Sequence, residues 1–380
     1  NVAIKNATLA LQTQRKLLSD STEHIKELMV MQEMQQPKKT FLLNRGQYDA
    51  PAKQVFPNTP EKILPFPSQL PKNRYGLAQW LTDARNPLTA RVAVNHLWQN
   101  FFGKGLVKTA EDFGNQGEMP SHLDLLDWLA IELRDNNWDI KKLNKLIVMS
   151  ATYQQDSKAS PLLNEKDPEN KLLARGPSMR LSAEMIRDNA LTASGLLNKK
   201  LGGKSVYPYQ PEGLWEINGT KYNQDTTDQV YRRSLYIVLK RTVPNPTLAN
   251  FDGPTRASCL VRRQSTNTPL QALVTLNDPT FIEAAKVIGE SITKQQNTEA
   301  AISKAYQQLT GTTPTTKQMA LLNALQQSEY NKFKAYPNKI KGWINTGLYK
   351  IDKTLDPYWV AANSVVASTI LNSDATITKR

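Results

Sequence analysis

One cysteine, Cys259, stands in 380 residues, beside only three histidines, His24, His96 and His122. A lone cysteine excludes an intrachain disulfide, a cysteine-rich zinc site, an iron–sulfur cluster and a Cys-X-X-Cys-His haem attachment within the chain. The surrounding "ASCLVRR" has no neighbouring histidine, so Cys259 reads as a small core residue rather than a nucleophile. The histidines lie far apart in sequence, which argues against a His-rich metal site, and no metal is expected; one His with carboxylates stays open. No run nears the ~18 apolar residues of a membrane-crossing helix, so no transmembrane segment is expected. Also missing are a Gly-rich phosphate loop, a G-X-G-X-X-G turn, a G-X-S-X-G elbow and an H-E-X-X-H helix. No standard catalytic constellation is legible.

Acidic residues are short as well: 34 Asp and Glu face 48 Lys and Arg, for a net charge of +14. That balance favours anionic partners such as acidic polysaccharide. The lysines are scattered ("NKK", "IKKLNK", "NKIKGW") rather than gathered into a stripe, which is how a solvated surface also looks. No nucleic-acid module is recognisable, and no nucleic-acid partner is expected.

What is present is enough apolar material, 39% of the residues, to bury a sizeable core. The chain opens on Asn1 and a mixed, charged stretch, neither a signal peptide nor a translation start, so it reads as a piece of a longer protein. Residues 1 to about 27 predict a helix with Leu9, Leu11, Leu17 and Leu18 as its apolar positions. The runs "ELMVMQEM" and "KTFLLNRGQY" predict a two-stranded ribbon. The proline-rich segment from 49 to 72 reads as a linker.

Punctuated amphipathic helices follow. Leu77, Trp80, Leu81 and Ala84 share one face after Arg74. Asn86 and Pro87 open a helix with Val94, Leu97, Trp98 and Phe101 as its stripe. Ser121 with Asp124, Asp139, and Ser182 mark three more starts, the last with Met185, Ile186, Ala190 and Leu191 facing inward. Residues 200–230 form a long aromatic loop with Tyr207, Tyr209, Trp215 and Tyr222, "RRSLYIVLKRT" alternates like a strand, and the remainder is helical. The fold class expected is mainly α: a multi-helix domain with a small two-stranded β ribbon near the N-terminus and long ordered loops. Its parts are 1–72 (helix, ribbon, linker), 73–295 (helical core with the aromatic loop) and 296–380 (a docked helical segment).

Three polar constellations invite a function. In "VRRQSTNTPLQALVTLNDPTFIEAA", Arg262 and Arg263 run into two helix starts of one design, Asn267-Thr268-Pro269 and Asn277-Asp278-Pro279. Free N–H groups at such starts, with two arginines, could cradle a sulfate, carboxylate or phosphate. The arginines could equally pair with Asp252, Glu283 or another carboxylate and fix the loop. On a helix, Arg91, Asn95 and Gln99 share a face beside His96, while Glu184, Arg187 and Asp188 lie within one turn of each other. Carboxylates so placed serve as acid and base, or as plain ion pairs. Trp215 and the loop tyrosines would stack a sugar, or plug the loop onto the core.

The motifs "NPLTARVAVNHLWQNFFGKGLVKTAEDFGNQGEMPSHLDLLDWLA", "RLSAEMIRDNALTASGLL" and "RRSLYIVLKRTVPNPTLANFDGPTRASCLVRRQSTNTPLQALVTLNDPTFIEAA" closely resemble the bacterial domain-of-unknown-function family number 1553. That family is the planctomycete-type C-terminal domain that accompanies c-type cytochrome modules. "MVMQEMQQPKKTFLLNRGQYDAPAKQV" and "ASTILNSD" extend the likeness over nearly the whole chain. The resemblance implies export to the periplasm or exterior, a c-type cytochrome module or other periplasmic protein as partner, and a setting of polysaccharide utilisation. Haem c would belong to a domain N-terminal to this chain, with no cofactor in the chain itself. Many relatives carry Arg where His96 stands, which weighs against a role for a titratable imidazole there. Two functions follow as expectations. One is a haem-free module that binds an acidic or sulfated glycan or a partner protein through Arg262, Arg263, Asn267, Asn277, Asp278, Asn95, Arg187 and Trp215. The other is a glycan-active oxidoreductase domain using His96, Glu184 and Asp188, so whether the chain is an enzyme stays open.

Overall fold

The computed structural model describes residues 2–22, 28–216 and 219–379. Among them the chain forms fifteen helices and two short two-stranded antiparallel ribbons, so it is mainly α. It divides into two compact units, Asn1–Thr89 and Ala90–Arg380.

In the first unit, helix α1 (Val2–Thr22) buries none of its residues, and Leu9, Leu11, Leu17 and Leu18 are all exposed. The last residues of its expected span, 23–27, lie outside the described ones. Strand β1 (Thr40–Leu43) pairs with β2 (Pro51–Val55), Thr40 opposite Val55. A ribbon is therefore present, but "ELMVMQEM" is not one of its strands. The second strand comes from the segment read as a linker. The reason is local closure: the Asn44–Gly46 turn, with Gly46 at φ 75°, folds the chain straight back, and Asn44 N–H donates to Ala50 O at 2.9 Å. A short loop costs little closure entropy. Helix α2 (Arg74–Leu81) starts where Asn73 Oδ1 accepts from Gly76 N–H. Its Trp80 is buried and donates from Nε1 to Leu64 O at 2.8 Å, which ties the proline-rich segment to the helix. Leu77 and Leu81 stay exposed, contrary to the expected stripe, because that segment covers only one side of a two-turn helix.

The second unit opens with α3 (Thr89–Phe102), α4 (Leu123–Asp135) and α5 (Ile140–Val148) around one core. Val94, Trp98, Leu126, Leu129, Leu133, Leu143 and Ile147 are buried there. Gly103, at φ 78°, ends α3 as its sequence promised. Asp139 caps α5 through Lys142 N–H. Ser121 does not cap α4; its hydroxyl donates to Leu106 O instead. After α6 (Pro161–Lys166) and the two-residue strand β3 (Met179–Arg180) comes α7 (Ala183–Ser194), with Ser182 accepting from Met185 N–H. Ile186, Ala190 and Leu191 are buried as expected, but Met185 is 55% exposed and Arg187 takes an inward place.

Where "RRSLYIVLKRT" predicts a strand, the chain makes one 3-10 turn, Ser234–Tyr236, just after another at Asp228–Tyr231, with single bridges Asn198–Arg232 and Val206–Ile237. The carbonyls of Val230 and Arg232 are taken by the Arg187 guanidinium, so no ladder forms there. The rest is helical: α8 (Pro246–Asn250), α9 (Pro269–Asn277), α10 (Pro279–Thr293), α11 (Thr298–Thr310), α12 (Thr316–Ala335), α13 (Lys341–Ile344), α14 (Pro357–Leu371) and α15 (Asp374–Ile377). Strand β4 (Thr378–Lys379) then pairs with β3. Helix α10 is buried nearly all round, as a central helix must be. Its partner α14 is built from Val360, Ala361, Ala362, Ser364 and Ala367, all fully buried. Small residues let the two backbones approach: a Cβ at Gly289 would lie 2.5 Å from Ser364 N.

Candidate functional site: an arginine-lined groove

Helix α7 supplies the floor of the site. Its period places Glu184 and Asp188 on one face and turns Arg187 inward. Arg187 is 2% exposed and donates to Val230 O (2.5 Å), Arg232 O (2.9 Å) and Ser234 Oγ (3.2 Å). Burial draws its pKa below the usual guanidinium range, with Asp188 opposing that. Asp188 in turn accepts from Ser234 N–H (2.8 Å) and hydroxyl (2.7 Å). Arg187 and Asp188 together fasten the 230–234 turn onto α7.

A loop forms the wall. Its ends are clasped at Asp252, whose carboxylate accepts from Thr266 N–H and hydroxyl, both at 2.9 Å, and from Arg180. Asp252 sits at φ 58°, a conformation Asp tolerates better than most residues. Gln271 completes the clasp by donating to Asn250 O and Thr266 O at 3.0 Å. Burial works to raise the Asp252 carboxyl, but the bonds from Arg180 and Thr266 outweigh it and hold it below the usual carboxylate range. Farther along the loop, Arg262 pairs with Glu111 at 3.0 Å. Arg263 grips Glu184 with two parallel bonds, 2.5 and 3.0 Å. For Glu184 too, burial pushes upward and the Arg263 hydrogen bond wins, keeping it ionised. Both arginines remain substantially solvent-exposed, 54% and 38% by side chain.

Floor and wall enclose an open groove of about 1550 Å³. Glu184, Asp188, Arg233, Arg256, Arg262 and Arg263 all line it. No carboxylate among the described residues pairs with Arg233 or Arg256. Cys259 also lines it and is exposed, so it is not a core residue; the wall loop that carries it has no buried side chain from Pro254 to Thr266.

The other sequence candidates lie elsewhere. Asn95 is fully buried and holds the Val107 backbone at both its N–H and its carbonyl. His96 is exposed on α3 and does not line the groove. Trp215 packs edge-on against Tyr207 (5.9 Å) and Tyr222 (5.0 Å), with the Lys240 ammonium 4.7 Å above its ring. Neither helix start lines the groove. Asp278 turns its own carboxylate onto Thr280 N–H and the Thr247 hydroxyl, occupying the N-terminus of α10. Asn277 donates within α9 to Leu273 O, and Asn267 is exposed outside the groove lining. No group of three His, Cys, Asp or Glu side chains that could hold a metal gathers among the described residues.

Sequence reasoning missed Arg233 and Arg256. It also missed Lys286 and Glu290 inside α10, and it named a third ionisable residue there, Glu283, only as a possible partner of the arginine pair. Glu283 is fully buried and accepts from the hydroxyls of Tyr209 and Tyr231, each at 2.8 Å. Lys286, equally buried, donates to the carbonyls of Thr346 (2.6 Å) and Tyr349 (2.7 Å). Glu290 pairs with Lys294 at 2.6 Å. Burial, then the Glu283 bond, raises the pKa of both tyrosines. These groups fasten the 344–352 loop to α10. Their spacing in "FIEAAKVIGE" was the available signal, but a charged residue every third or fourth position is also the mark of an exposed face.

A family model described as PSD1, protein of unknown function (DUF1553), matches residues 73–326. No curated protein and no solved structure matches the chain.

Proposed function

This chain belongs to the DUF1553 family of proteins of unknown function, and from that premise we propose that its second unit is a non-catalytic module that binds an acidic ligand in the arginine-lined groove. One observation carries the reading: four arginines line one groove, and two of them, Arg233 and Arg256, have no carboxylate partner among the described residues. A guanidinium in a groove wall with no counter-ion is a ready site for a carboxylate or sulfate. The net charge of +14 adds a long-range attraction of the same sign. An acidic or sulfated glycan and an acidic stretch of a partner protein both offer that chemistry.

The catalytic alternative draws less support. Glu184 is held in its charged form by Arg263, which suits ion pairing better than proton donation. Asp188 spends its Oδ1 on Ser234. Covalent haem has no seat among these residues either, since attachment through two cysteines needs more than Cys259. In the setting inferred from the resemblance, an exported, cytochrome-linked protein, haem would lie in a domain outside this chain.

The test is binding of the chain to sulfated, carboxylated and neutral polysaccharides and to acidic peptides, at low and high salt, beside the Arg233→Ala/Arg256→Ala variant. Salt-sensitive binding to acidic ligands that the variant loses supports the module. Equal binding to every polyanion, unchanged in the variant, overturns it.

A further inference from the structure

The groove is not only basic. Met185 (55% exposed), Leu235 (69%), Leu239 (40%), Leu260 (56%) and Val261 (42%) all line it and stand open to solvent. Exposed leucines scattered singly are ordinary, but several sharing one concave surface mark a contact site. Their order in the chain matters. Leu260 and Val261 immediately precede Arg262 and Arg263 on the loop wall, and Leu235 follows Arg233 by two residues on the opposite segment. Each of these two segments therefore carries basic and aliphatic positions side by side.

No aromatic ring among the described residues lines this groove. Sugars are commonly held by stacking on such rings, and the rings that could serve, Tyr207, Trp215 and Tyr222, are packed on one another elsewhere. At about 1550 Å³ the groove also exceeds the roughly 300–1,000 Å³ of a small-molecule pocket.

We infer that the groove receives an extended segment of a partner protein in which acidic and aliphatic residues alternate. This rests on the acidic-ligand reading above and names its occupant. Carboxylates of the segment pair with Arg233 and Arg256, and its aliphatic side chains cover Leu235 and Leu260. Glu184 and Asp188, on the floor, turn away a segment that is acidic at every position, because a carboxylate opposite them is repelled.

The experiment is fluorescence anisotropy of the whole chain with labelled peptides of alternating Glu and Leu, of Glu and Ser, and of Ser and Leu, with a heparin-type sulfated polysaccharide as competitor. Two double variants are compared: Leu235→Ser/Leu260→Ser and Arg233→Ala/Arg256→Ala. Thermal melting confirms that both stay folded, as expected of side chains that are exposed or, for Arg233, partly exposed. The Glu–Leu peptide should bind about tenfold or more tighter than either control. The leucine variant should lose that advantage, and the arginine variant should lose binding of both Glu peptides. If the polysaccharide or the Glu–Ser peptide binds as well as Glu–Leu and the leucine variant is unaffected, the groove is acidic-ligand-binding but the segment is the wrong occupant. If no polyanion binds at all, the inference and the reading beneath it fall together.

Discussion

Asp252 and Thr266 lie 14 residues apart, yet both the N–H and the hydroxyl of Thr266 donate to the Asp252 carboxylate. This contact, with Arg180 across it, closes the loop that walls the groove into an Ω-shaped excursion. The wall thus has a firm base, while Arg262 and Arg263 are tied only by exposed ion pairs, each worth about 0–1 kcal/mol.

Asp252→Asn should therefore loosen the wall and lower the stability of the second unit by about 1–3 kcal/mol, the cost of leaving charge-assisted bonds unmade. Because the folded carboxyl is held below its usual value, the unfolded state binds the proton first as pH falls. The contribution is complete above about pH 4, the ordinary Asp range, and is lost as pH falls through the lower folded pKa. Urea denaturation from pH 7 downward should show the parent and the Asn variant converging at acid pH. A constant gap would contradict the assignment.

Glu184→Gln should strengthen the groove for anions. Removing the charge frees Arg263 from its bidentate partner and takes one repelling carboxylate out of the floor. From the usual worth of a partly exposed pair, affinity for an acidic peptide should rise by up to about fivefold. Titration of the variant against the parent at low salt reads this directly, and weaker binding would show that Glu184 itself holds the ligand.

Arg187→Ala should be among the most damaging single changes, at about 3–5 kcal/mol, because it leaves Val230 O, Arg232 O and Asp188 without their buried partner. Arg187→Lys should restore little, since an ammonium cannot match the spread of a guanidinium over three acceptors. Chemical denaturation with a fluorescence readout compares the two.

Two glycines share a positive φ, but their surroundings differ. At Gly311 (φ 75°) a Cβ meets open space, so Gly311→Ala should cost about 1 kcal/mol for the backbone alone. At Gly347 (φ 79°) the Cβ would stand 2.2 Å from the buried Glu283 carboxyl carbon. Gly347→Ala should cost several-fold more, as the Glu283–tyrosine network must shift to admit it. Melting temperatures of the two variants side by side test the difference.

Local signals were legible in the chain and held where neighbours do not intervene. Ser182 and Asp139 cap their helices, Gly103 ends one, and Pro269 and Pro279 begin two. Patterns that needed a partner misled. "RRSLYIVLKRT" alternates with period two, but a buried guanidinium claims the Arg232 carbonyl, and among the described residues the segment pairs only through the single bridges at Arg232 and Ile237 rather than a ladder. The charged "FIEAAKVIGE" looks half solvated, but tyrosine hydroxyls and backbone groups from distant loops meet Glu283 and Lys286 and let most of the helix be buried.

The sequence by itself determined a mainly helical chain, the places where about half of its helices begin, and the family to which it belongs. It also named the arginine pair, though not what that pair meets. Only the tertiary structure decided that Arg187 is scaffolding, that Asp278 fills its own helix start, and that Arg233 and Arg256 share a groove with Arg262 and Arg263. The physical reason is range. Caps and turns are set by bonds within four residues, whereas Glu184 meets Arg263 across 79 positions and Glu111 meets Arg262 across 151. Whether an arginine is a strut or a binding group depends on which carboxylate the fold brings to it.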